Sequence, residues 1–462
     1  MKLKFYGATQ QVTGSMHLLE FDNNSKILID CGLQYESGDK LDINDKFPFN
    51  PSEINCIILT HSHIDHSGNI PTIVKHGFKG TIYCTKPTAS LVENLLYDSV
   101  NVQYAVNKSK KKGKKSKQNT VLYSSKHVKE SLEHIKLIDF HNKIKINENF
   151  SFTFYNAGHI LGAASVLAEI NENGKTIKIG FTGDLGKENS KIVVNPEIMP
   201  DIDYLVCEST YGNRKHKCLN TAEDEILNHI NLSCKNKKGR LIIAAFSVGR
   251  TQAILFTLNQ LYKRGELNGI KVFTDSKLGI QSTRVHEQFD EYMNNEAQEF
   301  FKKHGDLFNF PNLKVIETEY DQQDLNYQNE PYIIVSSAGM VEGGRIQQHV
   351  RNNIHNPVSY ILIAGYCADG TLGNKLLQGQ KSIKIGSFES PVYAKVTSTD
   401  IFSAHPDRDG LVKYLKDSEN KNLKKVFLIH GDKKTIEGFK EYLEEINFNK
   451  IEIPIRGNEY TF

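Results

Sequence analysis

The stretch T-H-S-H-I-D-H-S-G at residues 60–68 places three histidines and one aspartate within six consecutive positions, directly after an apolar run. His61 and His63 are two residues apart, so on an extended segment their side chains leave on the same face, and Asp65 and His66 follow where the chain turns. Neutral imidazole and carboxylate suit Zn²⁺, which binds histidine nitrogen at about 2.0 to 2.1 Å. An isolated H-x-H is more often a surface or core pair, but H-x-H-x-D-H predicts a metal site.

Two further segments place potential ligands at the ends of predicted strands. His159 lies in A-G-H-I-L-G, between glycines that allow the backbone to approach closely. Asp184 ends T-G-D and offers a carboxylate that can bridge two metal ions. A four-residue cluster cannot enclose two ions, so we expect ligands from these more distant strand ends to complete the site.

Short apolar runs broken by turns predict the elements that position these residues. Asn173–Gly174 lies between two such runs and indicates a tight hairpin, so the first two hundred residues should be rich in antiparallel sheet with few long helices. The predicted strands are residues 2–5, 16–21, 26–29, 54–60, 81–84, 150–155, 165–170 and 176–182.

From about residue 209 the pattern changes to strands that alternate with helices. The segments 221–232 and 251–264 carry helical apolar spacing, between the strand-like segments 240–245, 270–274 and 332–336. This alternation predicts βαβ units and a second, α/β domain. The last stretch returns to strands at 426–429 and 451–455 around an amphipathic helix at 433–446.

Length and composition set outer limits on the class of protein. With 462 residues, two domains are the default expectation, and 39% hydrophobic with 24% charged residues is typical of a soluble protein. No apolar run approaches the roughly 18 residues of a membrane span, and the first residues lack the apolar core of a signal peptide, so we expect a cytoplasmic protein. The seven cysteines never form C-x-x-C, which argues against a disulfide framework or a thiolate zinc site.

A lysine tract at residues 108–117, K-S-K-K-K-G-K-K-S-K, holds seven lysines and no acid. Such a run is most simply a solvated loop between helices. The alternative is a patch that attracts nucleic acid, because phosphate neutralisation supplies affinity without sequence information. The sequence leaves both interpretations open.

Several motifs together resemble those of a known superfamily. I-D-C-G (29–32), H-S-H-I-D-H (61–66), A-G-H-I-L-G (157–162) and T-G-D (182–184) are similar, in order and spacing, to four successive motifs of the metallo-β-lactamase superfamily. C-E-S-T-Y-G-N-R at 207–214 resembles the opening of the β-CASP insertion of its nucleic-acid-cleaving members. Further matches are F-S-V-G-R at 246, S-S-A-G-M at 336, G-Y-C-A-D-G-T-L at 365, F-S-A-H at 402 and L-I-H-G at 428.

The resemblance covers nearly the whole chain and is strongest to stand-alone prokaryotic relatives of the pre-mRNA 3′-end processing endonuclease. It implies an α/β protein with an αββα metallo-β-lactamase fold and an inserted α/β β-CASP domain. The core would run from 1 to 208, the insertion from 209 to 395, and the closing part of the core from 396 to 462.

The resemblance also implies two Zn²⁺ ions per chain and assigns their ligands. One ion would be held by His61, His63 and His159, the other by Asp65, His66 and His405, with Asp184 bridging the two. Asp30 would orient the ligands from behind, as metal-bound histidine commonly requires.

The resemblance also implies roles for residues around the metal pair. Glu208 matches the acidic residue that positions an active-site histidine, and His405 matches a histidine found mainly in members that act on RNA. His430 is expected to close the site from below, and the alternative is an ordinary buried histidine. Lys375 stands where eukaryotic processing enzymes place a histidine proposed as general acid, so the identity of the acid stays open.

Strand-to-helix turns of the insertion are expected to bind substrate phosphate through backbone amides and small side chains. The alternative is that these are simple glycine-containing turns. The residues concerned are Ser247, Gly249, Arg250, Ser336, Ser337 and Gly339.

The sequence therefore predicts a zinc-dependent ribonuclease that hydrolyses phosphodiester bonds of single-stranded RNA through a hydroxide activated by two metal ions. It would cut internally, trim from the 5′ end, or both, in RNA processing or decay. The alternatives are a DNA-directed β-CASP nuclease and a non-catalytic RNA-binding scaffold. The chain could act alone or as a homodimer, and no membrane partner is expected.

Overall fold

The computed structural model describes the chain except for residues 36–39, 114–120, 173, 217–220, 268, 329–330 and 369. The side chains of residues 40–42, 109–113, 319–320, 324 and 326 are also outside the description. Most of the lysine tract predicted at 108–117 therefore lies outside the described side chains. Within the described residues, none of the helices combines the length and the apolar character that a membrane crossing requires.

The chain divides into two compact units. The first unit comprises Met1–Glu188, Asn195–Lys215 and His405–Phe462, and the second unit comprises Asn189–Val194 and His216–Ala404. The main borders thus fall somewhat later than the expected ones after residues 208 and 395. The short segment Asn189–Val194 belongs to the second unit, which the sequence patterns did not indicate.

Two seven-stranded sheets form the centre of the first unit, and strands are numbered along the whole chain. The first sheet has the order β22-β1-β2-β3-β4-β5-β6 and the second the order β21-β20-β11-β10-β9-β8-β7. Their strands are β1 (Lys2–Phe5), β2 (His17–Glu20), β3 (Lys26–Ile29), β4 (Cys56–Ile58), β5 (Thr81–Cys84), β6 (Ile135–Leu137), β7 (Ile144–Lys145), β8 (Phe150–Asn156), β9 (Ala164–Glu172), β10 (Lys175–Phe181), β11 (Tyr204–Glu208), β20 (Lys425–Ile429), β21 (Ile451–Glu452) and β22 (Glu459–Thr461).

Helices cover the outer faces of both sheets of the first unit. Their bounds are α1 (Lys40–Asp45), α2 (Ile64–Ser67), α3 (Ile70–Lys75), α4 (Lys86–Gly113), α5 (Ser125–Leu132), α13 (Arg408–Ser418) and α14 (Lys433–Glu445), with a 3₁₀ turn at Pro51–Glu53. Ile27 and Ile29 of β3 join the core between the sheets, whereas Leu28 joins the core beneath helices α3 to α5. Because successive strand residues point to opposite faces, a strand buried on both faces must be apolar throughout. This four-layer αββα arrangement confirms the predicted fold class.

The second sheet contains both antiparallel and parallel strand pairs, and the parallel pairs bring several strand ends together. β9 and β10 pair antiparallel with Glu172 opposite Lys175, which confirms the predicted hairpin, although Asn173 itself lies outside the described residues. β10, β11 and β20 are parallel neighbours, with Glu208 opposite Ile429. The residues that follow β10, β11 and β20 therefore meet at one edge of the sheet.

The second unit is built on a six-stranded parallel sheet of order β14-β13-β15-β12-β16-β19, as the alternating pattern predicted. Its strands are β12 (Arg240–Ala244), β13 (Lys271–Thr274), β14 (Leu313–Val315), β15 (Tyr332–Ser336), β16 (Tyr360–Ile363) and β19 (Lys395–Ser398), with a separate hairpin of β17 (Ser382–Ile385) and β18 (Phe388–Pro391). Its helices are α6 (Ala222–Ile230), α7 (Arg250–Lys263), α8 (Lys277–Gln288), α9 (Asn295–His304), α10 (Glu319–Asn326), α11 (Ile346–Asn353) and α12 (Leu372–Leu377), with a π-helical turn at Asn231–Lys235 and a 3₁₀ turn at Asp290–Tyr292.

The loop expected at the lysine tract is wrong for the first part of the tract. Helix α4 spans 28 residues and continues through Lys108 to Gly113, so this part is helical instead of a loop. One long helix agrees with the prediction of few long helices in the first two hundred residues. Lysine is a good helix former, and its high charge does not prevent helix formation on a solvated face.

Candidate metal centre

The ends of several strands of the first unit deliver the polar side chains of one cluster. His61 and His63 follow β4, while Asp65 and His66 lie on the short helix α2. The other members come from further strand ends and from the segment before α13: His159 follows β8, Asp184 follows β10, Glu208 ends β11, His430 follows β20, and His405 precedes α13.

Three imidazoles and the carboxylate of Asp184 form one group. Nδ1 of His63 lies 3.2 Å from Nε2 of His61 and 3.2 Å from Nε2 of His159. Oδ2 of Asp184 lies 3.4 Å from Nε2 of His61 and 3.6 Å from Nε2 of His159. One potential ligand atom from each of these four residues lies within 4.8 Å of the others, so the group can bind a single cation.

A second group faces the other oxygen of Asp184. Nε2 of His430 lies 3.2 Å from Nε2 of His66 and 3.5 Å from Oδ2 of Asp65. Oδ1 of Asp184 lies 3.2 Å from Nε2 of His66 and 3.4 Å from Nε2 of His430. The two oxygens of Asp184 thus face two separate groups of potential ligands.

The protonation states of these groups suit cation binding. Burial lowers the pKa of His63 to about 3 and also lowers the pKa of His61 and His159, so all three rings are neutral and keep a free lone pair. Burial alone would raise the pKa of Asp184, but the adjacent His430 and His66 hold that pKa well below its ordinary value. The first group, His61, His63 and His159 with Asp184, therefore combines neutral imidazoles with an ionised carboxylate, a donor set that zinc accepts.

The fit of a metal ion can be tested on one buried atom. Oδ1 of Asp184 is buried, and none of the described residues donates a hydrogen bond of normal geometry to it, although Nε2 of His66 and Nε2 of His430 lie 3.2 and 3.4 Å away. A buried, ionised oxygen without a donor carries a large desolvation penalty unless a cation neutralises it. The residues present at this centre therefore fit bound metal.

His405 and Glu208 form a separate pair beside the cluster. Nδ1 of His405 donates to Oε1 of Glu208 at 2.8 Å, and its Nε2 lies 4.0 Å from Oδ2 of Asp184. The His405 ring packs against that of His159, with 4.5 Å between ring centroids. Burial lowers the pKa of His405, but the carboxylate of Glu208 outweighs this effect and raises that pKa above its ordinary value. His405 can therefore hold a proton next to the cluster.

The structure places His405 and His430 differently from the expected ligand set. The resemblance grouped His405 with Asp65 and His66 and placed His430 below the site. In the structure, His430 lies with Asp65 and His66, while His405 lies with Glu208. The expected contact between Glu208 and an active-site histidine is present in the structure, and that histidine is His405.

Asp30 contacts the cluster from behind. Its Oδ2 lies 2.7 Å from Nδ1 of His66, and its two oxygens accept hydrogen bonds from the amide and hydroxyl of Thr60, each at 2.8 Å. Asp30 and His430 both have positive φ, 60° and 55°, in the left-handed region that costs a non-glycine residue energy. Such strain persists only where surrounding contacts enforce it and is common at functional sites.

In the second unit, the residues expected to bind phosphate lie at the carboxyl ends of β12 and β15. The hydroxyl of Ser337 lies 2.6 Å from that of Ser276, which in turn lies 3.3 Å from that of Ser247. Ser336 is 1% exposed, and Gly249, with φ of 78°, precedes helix α7. Gly339 lies so close to Phe246 that a Cβ would approach its ring to 2.9 Å.

Arg250, expected to bind phosphate, and Lys375, expected in the place of a general acid, are not grouped with these serines. Arg250 is buried, its Nε donates to the carbonyl of Phe402 at 3.1 Å, and its guanidinium stacks on the ring of Phe246. Lys375 lies exposed on α12. The described contacts of Arg250 are those of a residue that holds protein segments together.

Sequence reasoning missed two polar residues near the centre. Thr210 lies two residues after Glu208, and its hydroxyl lies 3.0 Å from Nδ1 of His430. His17 is buried at the start of β2 and lines a cavity of about 10 Å³ together with Asp30 and His66. The E-S-T-Y segment was a usable signal for Thr210, whereas His17 stands in an apolar run that indicates an ordinary core position.

The fold and the centre together define a metallo-hydrolase of the αββα class. Three family models match the chain: the metallo-beta-lactamase superfamily domain at residues 18–177, the Beta-Casp domain at 251–376, and the Zn-dependent metallo-hydrolase RNA specificity domain at 389–454. The chain belongs to the β-CASP family of the metallo-β-lactamase superfamily, whose members are metal-dependent hydrolases.

Several curated proteins are similar to this chain along most of its length. An RNase J-like protein of Methanocaldococcus jannaschii is 31% identical over 435 residues, covering 93% of this chain and 92% of its own. Ribonuclease TTHA0252 of Thermus thermophilus is 27% identical over 437 residues, covering 94% of each chain. Endoribonuclease YSH1 of Candida glabrata is 28% identical over 437 residues, covering 92% of this chain and 54% of its own.

Proposed function

We propose that this chain is a zinc-dependent ribonuclease that hydrolyses phosphodiester bonds in single-stranded RNA. The single observation that carries the proposal is that the two oxygens of Asp184 face two separate groups of potential ligands. The match to an RNA specificity domain and the names of the ribonuclease relatives support RNA as substrate. The action would serve RNA processing or decay, by internal cutting, 5′-end trimming, or both.

We assign two Zn²⁺ sites per chain. His61, His63 and His159 would hold one ion, and Asp184 would bridge to the other. For the second ion, the distances favour Asp65, His66 and His430 in place of the set with His405. When bound, a zinc pair lowers the pKa of water towards neutrality and stabilises charge on the oxygens of an in-line phosphoryl displacement.

His405 is the proposed general acid. Because Glu208 fixes Nδ1 and raises the pKa of the ring, Nε2 can carry a proton on the side that faces the cluster. Donation of that proton to the leaving oxygen would avoid an unstable alkoxide. Lys375, the alternative suggested by its position in the sequence, lies exposed on α12 of the second unit.

The serine cluster of the second unit is the proposed phosphate-binding surface. Ser247 and Ser337 lie at the carboxyl ends of parallel strands, the edge at which α/β sheets bind ligands, and Ser276 joins them through its hydroxyl. Gly249 lies directly before the 14-residue helix α7, whose N-terminal amides favour an anion. Ser336 and Gly339 shape the adjacent turn. Arg250 would support this surface from behind, through its bond to the carbonyl of Phe402.

A nuclease assay on matched substrates tests the proposal. RNA and single-stranded DNA of one sequence, labelled at either end and carrying 5′-phosphate or 5′-hydroxyl, are incubated with zinc-loaded protein. We expect faster cleavage of RNA and loss of activity in Asp184→Ala, with retention in the exposed control Asp417→Asn. Products resolved from both ends distinguish internal cutting from 5′ trimming.

Each alternative function has its own outcome in this assay. Faster cleavage of DNA would replace the proposal with a DNA-directed nuclease. RNA binding without cleavage, in protein that retains fewer than one zinc per chain after metal addition, would indicate a non-catalytic scaffold. Full activity of Asp184→Ala would contradict the two-metal arrangement.

A further inference from the structure

The turn that follows β11 is locked to the end of β20. The hydroxyl of Ser209 donates to the carbonyl of Ile429 at 2.6 Å, and the amide of Thr210 donates to Oε2 of Glu208 at 3.1 Å. A Cβ on Gly431 would approach the carbonyl oxygen of Ser209 to 3.0 Å, so glycine permits the close approach of the two segments. The position of Thr210 relative to the end of β20 is therefore fixed.

The hydroxyl of Thr210 makes two contacts with His430. Its oxygen lies 3.0 Å from Nδ1 and 3.3 Å from the carbonyl oxygen of the same residue. A carbonyl can only accept, so the hydroxyl proton of Thr210 satisfies that contact and the hydroxyl oxygen accepts from Nδ1–H. This pattern keeps a proton on Nδ1 and leaves Nε2, which faces Asp65 and Asp184, as the ring nitrogen that a metal ion can bind.

Hydrogen bonds with Ala8 and Thr210 also hold the backbone of His430. Its φ of 55° is in the left-handed region, and its amide donates to the carbonyl of Ala8 at 2.7 Å. The hydroxyl of Thr210 bonds the carbonyl on the other side of the same residue. One threonine side chain thus contacts both the strained backbone and the ring of His430.

We propose that Thr210 is a positioning residue that fixes the tautomer and ring orientation of His430 for metal binding. The inference rests on the proposed role of His430 as a ligand of the second ion. Thr210 stands to His430 as Asp30 stands to His66, each contacting the Nδ1 that faces away from the cluster. Loss of such a partner typically lowers metal affinity 10- to 100-fold.

The test measures zinc affinity in the full chain by competition with a chromophoric chelator. Thr210→Val, which removes the hydroxyl but keeps the shape, should weaken binding of one of the two zinc ions by about 10- to 100-fold. Thr210→Ser keeps the hydroxyl and should restore affinity. Thr72→Val is the matched control, because the Thr72 hydroxyl is buried without a hydrogen-bond partner among the described residues; its zinc affinity should equal that of the wild type.

A second readout reports on geometry directly. The visible absorption of Co²⁺ bound in place of zinc depends on ligand orientation, so Thr210→Val should change the spectrum and Thr210→Ser should preserve it. If the Thr210→Val variant does not fold, the same measurements are made on Thr210→Ala.

His430→Ala separates failure of this inference from failure of the proposed function. If His430→Ala retains two zinc ions, His430 is not a ligand and the proposed metal assignment fails. If His430→Ala loses one zinc while Thr210→Val keeps wild-type affinity and the wild-type Co²⁺ spectrum, the assignment stands and the role of Thr210 is overturned.

Discussion

Glu208 accepts a hydrogen bond from Nδ1 of His405 at 2.8 Å, across 197 positions of sequence. The same oxygen, Oε1, accepts from the amide of Leu185 at 2.9 Å, and Oε2 accepts from the amide of Thr210. The carboxylate is fully buried, so these donors hold it in one orientation. Glu208 therefore connects the turn after β10, the turn after β11 and the segment before α13.

Replacement of Glu208 by glutamine tests what its charge contributes. The amide keeps the shape but presents an NH₂ group to one of the donors, and it no longer favours protonated His405. We expect cleavage of RNA at saturating substrate to fall by at least about 100-fold, in line with the loss of general acid catalysis. Zinc content should remain at the wild-type value.

The matched control for this substitution is Glu188→Gln. Glu188 belongs to the same unit, is half exposed and pairs with Lys413 at 2.8 Å, a surface ion pair of little energetic value. The Glu188→Gln variant should cleave RNA at the wild-type rate. A Glu208→Gln protein that cleaves RNA at the wild-type rate would exclude His405 as a general acid dependent on Glu208.

Much of this centre could be predicted from the sequence because most of the ligands lie at or shortly after the end of an apolar strand. His61, His63, Asp65 and His66 are adjacent in the chain, so their meeting requires only local geometry. His159 precedes β9 and Asp184 follows β10, and these two strands form a hairpin, so both residues lie at its open end.

The roles of His405 and His430 could not be separated in this way. Both follow segments without a distinctive spacing to the first cluster. Their places depend on the parallel pairing of β20 with β11, which sets Ile429 opposite Glu208 and so brings His430 to Thr210. That register is a property of the folded sheet, determined by contacts between residues more than two hundred positions apart.

The new assignment of the two histidines predicts different zinc contents for their alanine variants. His430→Ala should retain about one zinc ion fewer than the wild type, because a buried site that loses one of its few ligands binds metal weakly. His405→Ala should retain the full zinc content and lose cleavage activity by at least about 100-fold. Zinc is measured by elemental analysis after dialysis, with the exposed His141→Ala as control. Loss of zinc from His405→Ala, but not from His430→Ala, would restore the ligand set that the resemblance implied.

Asp30→Asn tests the residue that contacts His66 from behind. Asparagine tolerates the positive φ of 60° at this position, so the substitution removes the charge without adding backbone strain. Zinc affinity should fall by about 10- to 100-fold, because the neutral amide no longer increases the basicity of the His66 ring. Competition with a chelator measures the change, and Asp22→Asn, at an exposed carboxylate, is the control. Equal affinities in both variants would show that Asp30 has only a structural role.

A buried histidine of the second unit predicts a pH dependence of stability away from the metal centre. His286 is 1% exposed on α8, and its Nδ1–H donates to the carbonyl of Ser282 at 2.7 Å. Burial lowers its pKa from 6.5 to about 4, although the bond to Ser282 partly opposes this shift. The unfolded chain therefore binds more protons than the folded chain between these two values, so the contribution of His286 to stability is complete above pH 6.5 and is lost as pH falls towards 4.

The His286→Gln variant should show a smaller loss of stability on acidification than the wild type. Each pKa unit corresponds to about 1.4 kcal/mol, so the two proteins should differ by roughly 3 kcal/mol in the change of unfolding free energy between pH 7 and pH 4. Urea unfolding followed by circular dichroism at both pH values measures this difference, and all other titrating groups cancel in the comparison. The exposed His355→Gln should follow the wild type. Parallel pH profiles for His286→Gln and the wild type would show that His286 titrates alike in the folded and unfolded states, contrary to the effect of burial.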